Sequence, residues 1–180
     1  MRLFAGIDLP DDVRNQLGAL LDRLCPLAKL AWTPLEKMHV TTKFIGEWPE
    51  DRLDEMKRAL SEVSAPGSVA VSIRRVGWLP SPRHPRVLYA GVEASESLNA
   101  LAAATEQTLE RLGIAREDRI YRPHVTLARV RDRVPLGALK DALKTLELSD
   151  FGSYQASSFF LYLSAAGKYT KLQEFRIHNS

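Results

Sequence analysis

Two short segments of the sequence each contain a histidine followed two positions later by a threonine: His39-Val40-Thr41 and His124-Val125-Thr126. Both lie in runs of β-branched and apolar residues that predict a β-strand. Because side chains alternate across a strand, each His lies on the same face as its Thr. Two such faces across one cleft supply an acid, a base and two hydroxyl donors, which together can cleave a phosphate ester without a metal.

The two motifs are related by an offset of 85 positions (124 − 39), close to half of the 180 residues. The same offset relates Phe4-Ala5-Gly6-Ile7 to Tyr89-Ala90-Gly91-Val92. We interpret this as an approximate internal repeat of residues 1–80 and 86–165, followed by a C-terminal strand over 168–178. Each copy contributes one histidine to a single bilobal domain that spans residues 1–180.

The hydrophobic pattern predicts strand, helix, strand, helix and strand in each half of the chain. In the first half the strands are 3–9, 37–45 and 69–78, and the helices are 10–24 and 50–63. In the second half the strands are 87–93, 121–130, 151–163 and 169–177, and the helices are 98–112 and 135–146. The proline-rich stretch Leu79–Pro85 is expected to continue neither a helix nor a central strand, and it separates the copies.

This order predicts an α+β fold with two pseudo-symmetric lobes. Each lobe is expected to be an antiparallel sheet with outer helices, and the sheets face each other across a central cleft that holds both motifs. Val13, Leu17, Leu20, Leu21 and Leu24 follow helical spacing and predict a core-facing stripe on the first helix.

Bulk properties describe an ordinary globular chain, with 45% hydrophobic and 26% charged residues. No apolar run approaches the roughly 18 residues that cross a bilayer, and the chain turns acidic at Asp8, too early for a secretory signal. Cys25 is the only cysteine, which excludes a disulfide framework and a cysteine-based metal site. We expect a monomer in the reducing cytoplasm, without membrane association.

Arginines surround the second motif, and this distribution says more than the net charge of +3. Because a guanidinium fork matches phosphate oxygens, they favour an anionic ligand, most commonly a nucleic acid. The arginines on either side of His124 are Arg116, Arg119, Arg122, Arg129, Arg131 and Arg133.

Two cations lie on the motif strands themselves. Lys43 shares the face of His39 and Thr41 by alternation, and is a candidate substrate-binding residue; the alternative is a solvated lysine at a strand edge. Arg129 is a second candidate, although in a regular strand it falls on the face opposite His124, so a direct role requires a bulge or twist.

The remaining histidines and the aromatic residues give weaker indications. His84 and His178 are expected to be exposed bystanders, and zinc is disfavoured because it needs at least three protein ligands. Phe4, Phe44 and Tyr89 are expected in the core. The tryptophans at the ends of elements are candidates for stacking on a base at the rim of the cleft; they are Trp32, Trp48 and Trp78.

At these residues the chain resembles the two-histidine phosphoesterases, which are defined by paired His-x-Thr/Ser motifs in two similar lobes. His-Val-Thr-Thr-Lys-Phe-Ile-Gly-Glu at 39–47 and Arg-Pro-His-Val-Thr-Leu-Ala-Arg at 122–129 are similar to the bacterial and archaeal RNA 2′,3′-cyclic phosphodiesterases, first described as 2′-5′ RNA ligases. The segments 2–7 and 85–92 are also similar to the family, so the resemblance covers essentially the whole chain. Thr42 departs from the family, which more often has Leu there, and we expect only a packing change.

The resemblance implies hydrolysis of a terminal RNA 2′,3′-cyclic phosphate to a 2′-phosphate, without a metal or nucleotide cofactor. It makes His39 the proton donor to the departing 3′ oxygen and His124 the proton acceptor that activates water, while Thr41 and Thr126 hold the phosphate. Reversible 2′-5′ ligation is a secondary expectation. The alternative is a non-catalytic module that binds RNA or nucleotides in the same cleft.

Overall fold

The computed structural model describes residues 1–65 and 67–177, which form two antiparallel sheets with helices packed on them. The strands are β1 (Arg2–Asp8), β2 (Ala31–Trp32), β3 (His39–Glu47), β4 (Val69–Pro80), β5 (Pro85–Val92), β6 (His124–Arg129), β7 (Asp150–Ala156), β8 (Ser158–Ala165) and β9 (Lys168–Arg176). The helices are α1 (Asp11–Leu24), α2 (Leu53–Ser61), α3 (Glu96–Glu110) and α4 (Gly137–Leu143).

The strand order is β3-β1-β8-β9 in the first sheet and β2-β6-β5-β4-β7 in the second. Each motif strand pairs with the strand that opens its half of the chain, β3 with β1 and β6 with β5. The predicted α+β fold with two antiparallel sheets is confirmed. The sheets approach each other where β3 contacts β6, so both motifs lie at the junction of the two sheets.

The predicted strand over 151–163 is wrong, because the chain changes sheets within it. Strand β7 pairs with β4 in the second sheet, while β8 pairs with β1 in the first. The change takes place at Ser157, between the two strands. The run from Phe151 to Leu163 favours extended backbone throughout, and local residue preference carries no information about which sheet a strand joins.

The expectation for Leu79–Pro85 holds for residues 81–84, which form the turn of a β-hairpin, and is wrong at the two ends, which belong to strands. Strand β4 continues to Pro80, β5 begins at Pro85, and these two prolines are opposite each other in the ladder. Proline is tolerated at such strand ends because few interstrand hydrogen bonds there require the backbone N–H that proline lacks. Strand β4 therefore belongs to the sheet of the second motif, and β8 and β9 return to the sheet of the first.

The core lies between the sheets and the helices. The predicted stripe on α1 is buried as expected: Val13, Leu17, Leu20, Leu21 and Leu24. Trp48 and Trp78 are buried, contrary to the predicted rim positions, while Trp32 is half-buried beside β6. Phe44 was expected in the core but is 53% exposed.

Candidate active site

Strand β3 carries a β-bulge directly after its motif. Gly6 of β1 is opposite Thr41, whereas the preceding residue, Ala5, is opposite Lys43, so Thr42 is the inserted residue. Because a bulge shifts the alternation of side chains by one position, Lys43 and the residue after it change faces relative to a regular strand, until a second shift of register near the end of β3 restores the alternation.

Strand β6 carries the same bulge at the equivalent position. Tyr89 is opposite Thr126 and Leu88 is opposite Ala128, so Leu127 is inserted, 85 positions after Thr42. The six residues that start at the motif histidine also have the same sequence of half-buried, buried and exposed positions in both strands. The two motifs thus share one local backbone form.

The bulge places Arg129 on the face of the second motif. Arg129 is opposite Val87, two positions before Tyr89, which is opposite Thr126. Since Val87 and Tyr89 lie on one face of β5, their partners Arg129 and Thr126 share that face as well. The sequence required a bulge or twist before Arg129 could act directly, and the structure has this bulge. The side chain of Arg129 is also exposed.

The same bulge turns Lys43 away from the first motif, so the prediction that it shares the face of His39 is wrong. Lys43 is only 6% exposed, and its Nζ donates to Oε1 of Glu106 at 2.8 Å and to the carbonyl of Ala115 at 3.0 Å. The side chain thus ties β3 to α3 and to the segment after it. Its surroundings are those of a structural ion pair and not of a substrate contact.

Both motif histidines are oriented by the same hydrogen bond. Nδ1 of His39 lies 2.8 Å from the carbonyl oxygen of Lys37, and Nδ1 of His124 lies 2.9 Å from that of Arg122. A carbonyl only accepts, so each Nδ1 carries a proton and donates it. Each neutral ring therefore presents an unprotonated Nε2, the atom that can accept or return a proton at the site.

Thr41 contacts this second nitrogen directly, with its Oγ1 2.8 Å from Nε2 of His39. A hydroxyl can donate to the neutral ring and accept from the protonated ring. The pair is thus compatible with both protonation states of His39.

The surroundings of the two histidines differ. The His39 ring is stacked on Phe4 at a centroid distance of 4.6 Å and is nearly perpendicular to the ring of Tyr169, with the two centroids 5.4 Å apart. His124 has Tyr89 at 5.8 Å. Burial lowers the pKa of His39 below its ordinary value, the hydrogen bond to Lys37 partly offsets this, and the charge of His124 lowers it further. The His39 imidazole is therefore neutral at pH 7 in the unliganded protein.

Tyr121 joins the two motifs, which the sequence did not indicate. Its hydroxyl donates to the backbone carbonyl of Thr41 at 2.8 Å, and the residue is only three positions before His124. Burial raises the pKa of this phenol far above its ordinary value, so it stays protonated and remains a donor. Because the acceptor is a backbone atom, no residue type at position 41 could have signalled the contact.

Asp8 is a second residue that sequence reasoning missed. It is directly opposite His39 in the β1–β3 ladder, and its carboxylate accepts from both Arg14 and Lys171. Although burial raises the pKa of Asp8, the hydrogen bond from Lys171 and the charge of Arg14 outweigh it and hold the pKa below its usual range. A fixed, ionised carboxylate therefore lies beside the first motif.

The other two histidines lie away from this junction or outside the described residues. His84 is exposed in the β4–β5 turn, as expected, and His178 lies outside the described residues. Within residues 1–65 and 67–177, no three His, Cys, Asp or Glu side chains are grouped so that they could hold a metal ion. No helix in the same ranges is long and apolar enough to cross a membrane.

A sequence model of the LigT like Phosphoesterase family matches residues 7–89 and 91–162, which contain both motifs. The chain belongs to this family. The resemblance to the two-histidine phosphoesterases is thereby confirmed.

Two relatives of this LigT-like phosphoesterase bear the name RNA 2′,3′-cyclic phosphodiesterase. The protein of Archaeoglobus fulgidus is 30% identical over 161 residues, which are 89% of each chain. The protein of Thermus thermophilus is 32% identical over 75% of this chain and 71% of its own.

Solved structures show the same fold. The crystal structure of TT0787 of Thermus thermophilus has 27% identity and a TM-score of 0.80 over 99% of both chains. The E. coli LigT structure complexed with 3′-AMP, at 24% identity, covers 98% of this chain and 97% of that one with a TM-score of 0.75.

Proposed function

We propose that this protein hydrolyses RNA 2′,3′-cyclic phosphate ends to 2′-phosphomonoesters by acid–base catalysis with two histidines. The observation that carries the proposal is the pair of His-x-Thr motifs with matching bulges and matching Nδ1 hydrogen bonds, on two strands that contact each other. The names and coverage of the relatives from Archaeoglobus and Thermus support the substrate class.

In the proposed reaction His124 accepts a proton from water through Nε2 while the water oxygen attacks phosphorus. The bond between phosphorus and the 3′ oxygen breaks, and Nε2 of His39 donates its proton to that oxygen. The product keeps the phosphate on the 2′ oxygen, and the two histidines finish with exchanged protonation states. Solvent then returns each to its starting form.

The hydroxyls of Thr41 and Thr126 are proposed to donate to the non-bridging phosphate oxygens, where negative charge increases in the transition state. Arg129, on the face of Thr126, is proposed to add a charge-assisted contact to the same group. Lys43 has no part in this proposal, because its ammonium group is bound to Glu106.

To act as the proton donor, His39 must be protonated when the substrate is bound. Burial lowers its pKa, so the unliganded protein at pH 7 holds it neutral. An anionic phosphate beside Nε2 favours the protonated ring and offsets part of the effect of burial. Protonation of His39 is thereby coupled to the arrival of the phosphate, and the rate should follow a bell-shaped pH profile.

The proposal extends to the rest of the molecule. Residues 1–180 are taken as one bilobal domain with a repeat at 1–80 and 86–165, active as a monomer, with 2′-5′ ligation as a minor related activity. Cys25 is an exposed free thiol, which is consistent with a reducing cytoplasm. Light scattering after gel filtration measures the oligomeric state directly.

The deciding experiment incubates the protein, in EDTA, with a short RNA that ends in a 2′,3′-cyclic phosphate. We expect conversion to a 2′-phosphate, and a loss of about 10²–10⁴ in rate for His39→Ala and for His124→Ala. His84→Ala, which changes an exposed histidine in the β4–β5 turn, is the matched control and keeps full activity. An inert wild type that still binds the RNA would instead support the non-catalytic binding module.

A further inference from the structure

The internal repeat contains a pair of acidic residues that lie outside both motifs. The two four-residue segments that share the offset of 85 positions are each followed by a carboxylate, Asp8 in the first copy and Glu93 in the second. Asp8 is paired with Arg14 and Lys171, and Glu93 is paired with Arg74. Each copy thus has a carboxylate held by a cation at the end of the strand that pairs with its motif strand.

The pairing register separates the positions of these two carboxylates. In the first sheet Asp8 is directly opposite His39, so the two side chains share a face, with about 5 Å between their Cβ atoms. In the second sheet Gly91 is opposite His124, and Glu93 lies two positions further along, beyond the end of β5. The first histidine therefore has a carboxylate beside it, and the second has a glycine.

Asp8 is held in this position from two sides. Arg14 of α1 and Lys171 of β9 both donate to its carboxylate. Arg14 also donates to the carbonyl of Leu35, two residues before the carbonyl that accepts the Nδ1 proton of His39. One arginine thus fixes both the carboxylate and the short segment of backbone that orients the ring.

Asp8 can act on His39 only through its charge, because both ring nitrogens have other partners. Nδ1 lies 2.8 Å from the carbonyl oxygen of Lys37, and Nε2 lies 2.8 Å from Oγ1 of Thr41. Burial lowers the pKa of His39, as do the positive charges near it, while the hydrogen bond to Lys37 and the charge of Asp8 raise it. A negative charge beside the ring stabilises the imidazolium, which is the form that a proton donor must take.

Charged and titratable groups face His39 from each element around it. They are Asp8 from β1, Arg14 from α1, Glu36 and Lys37 from the turn before β3, His124 from β6, Tyr162 from β8, and Tyr169 and Lys171 from β9. Of the acidic groups among them, Glu36 is exposed, so that solvent screens its charge, whereas the side chain of Asp8 is 29% exposed. Asp8 is therefore the carboxylate with the stronger effect on the ring.

We propose that Asp8 is a positioning residue for His39, whose charge offsets burial and holds the proton that this ring donates. The inference rests on the proposed function, since that reaction needs one histidine as donor and the other as acceptor. The sequence motifs are the same at both histidines and do not distinguish these roles. The carboxylate opposite His39 and the glycine opposite His124 do distinguish them, because only the first favours a protonated ring.

NMR titration of the histidine ring nitrogens in the unliganded protein measures this effect directly. Asp8→Asn removes the charge but keeps the shape and an acceptor oxygen, so the pKa of His39 should fall while that of His124 is unchanged. Glu93→Gln makes the same change of charge at the equivalent position of the second copy, and is the matched control that should leave the pKa of both histidines unchanged.

Two further variants separate a loss of charge from damage to the fold. Lys171→Met removes one cation from Asp8, so the pKa of His39 should rise, opposite in direction to the change in Asp8→Asn. Glu36→Gln should move this pKa less than Asp8→Asn does. A fall in the pKa of His39 in both Lys171→Met and Asp8→Asn, or an equal fall in Glu36→Gln, would overturn the assignment.

The kinetic signature is a loss of kcat that depends on pH, measured with an RNA that ends in a 2′,3′-cyclic phosphate. Because a donor with a lower pKa is less protonated in alkaline solution, Asp8→Asn should lose about three- to tenfold in kcat near about pH 8, and progressively less as the pH falls. Glu93→Gln should stay within about twofold of the wild type throughout. An equal loss at every pH in Asp8→Asn, with an unchanged pKa of His39, would show a purely structural role and refute the inference.

The titration also keeps this inference separate from the proposed function. If the wild type hydrolyses no RNA end, the proposed function fails. The pKa of His39 in Asp8→Asn then still decides whether Asp8 holds a proton on the ring: a fall supports that effect, and an unchanged value refutes it.

Discussion

Replacing Lys43 by methionine should destabilise the protein and leave substrate affinity unchanged. Lys43 is 6% exposed and the side chain of its partner Glu106 is 18% exposed, with 2.8 Å between Nζ and Oε1. Removing one member of such a pair leaves a poorly solvated charge, at a cost of about 3 kcal/mol. For a domain of this size the expected fall in Tm is about 6–12 °C.

The assay combines thermal unfolding with steady-state kinetics on the cyclic phosphate. KM should stay within about twofold, because the bulge directs Lys43 away from the face of His39. The double variant Lys43→Met/Glu106→Leu should recover most of the lost stability, since no charge is then left unpaired. Lys144→Met removes one member of the exposed pair Lys144–Asp141, and should change Tm by no more than about 1 °C. A tenfold rise in KM for Lys43→Met at unchanged Tm would refute this account.

Three further changes test how the first motif is held in place. Tyr121→Phe removes the hydrogen bond to the carbonyl of Thr41, and should lower kcat about tenfold at nearly constant KM, measured beside Tm. The pKa of His39 is lowered in the folded state, so the unfolded chain binds the proton more readily. The free energy of unfolding, measured with urea, should therefore fall as the pH drops below about 6.5. In His39→Gln this part of the pH dependence should be absent. Gly6→Ala would place a Cβ 2.8 Å from a backbone oxygen of β3 and 3.4 Å from the His39 ring. We therefore expect the free energy of unfolding to fall by about 1–3 kcal/mol and activity to be lost. The control Gly137→Ala, which has open space around its Cβ, should change neither stability nor activity. An active Gly6→Ala protein with unchanged Tm would contradict the close packing of β1 against β3.

Most elements were predictable because their patterns are local. The stripe on α1 from Val13 to Leu24 is set by a period of 3.6 residues, and it is buried as predicted. The strands of both motifs were also placed correctly to within a few residues. The run from Phe151 to Leu163 failed for the converse reason, because a change of sheet at Ser157 leaves no mark in local periodicity.

Part of the correspondence between the two motif strands is visible in the sequence, and part appears only in the structure. The offset of 85 positions holds for the motifs, the bulges and the carbonyl partners of both histidines. It does not hold for the pairing register: Gly6 is opposite Thr41, whereas Gly91 is opposite His124 and not Thr126. The difference of two residues keeps every side chain on its face, because the side-chain period of a strand is two.

The acid–base and hydroxyl groups that are available can be read from the sequence alone, because it gives the types and spacing of His39, Thr41, His124 and Thr126 directly. Which cation shares a strand face with a motif depends on strand pairing, since the bulges that bury Lys43 and place Arg129 on the face of Thr126 exist only against a partner strand. The Tyr121 bond to the backbone of Thr41 likewise joins residues 80 positions apart. Local periodicity fixes which way a side chain points along a regular strand, but pairing with a distant strand decides where that regularity breaks.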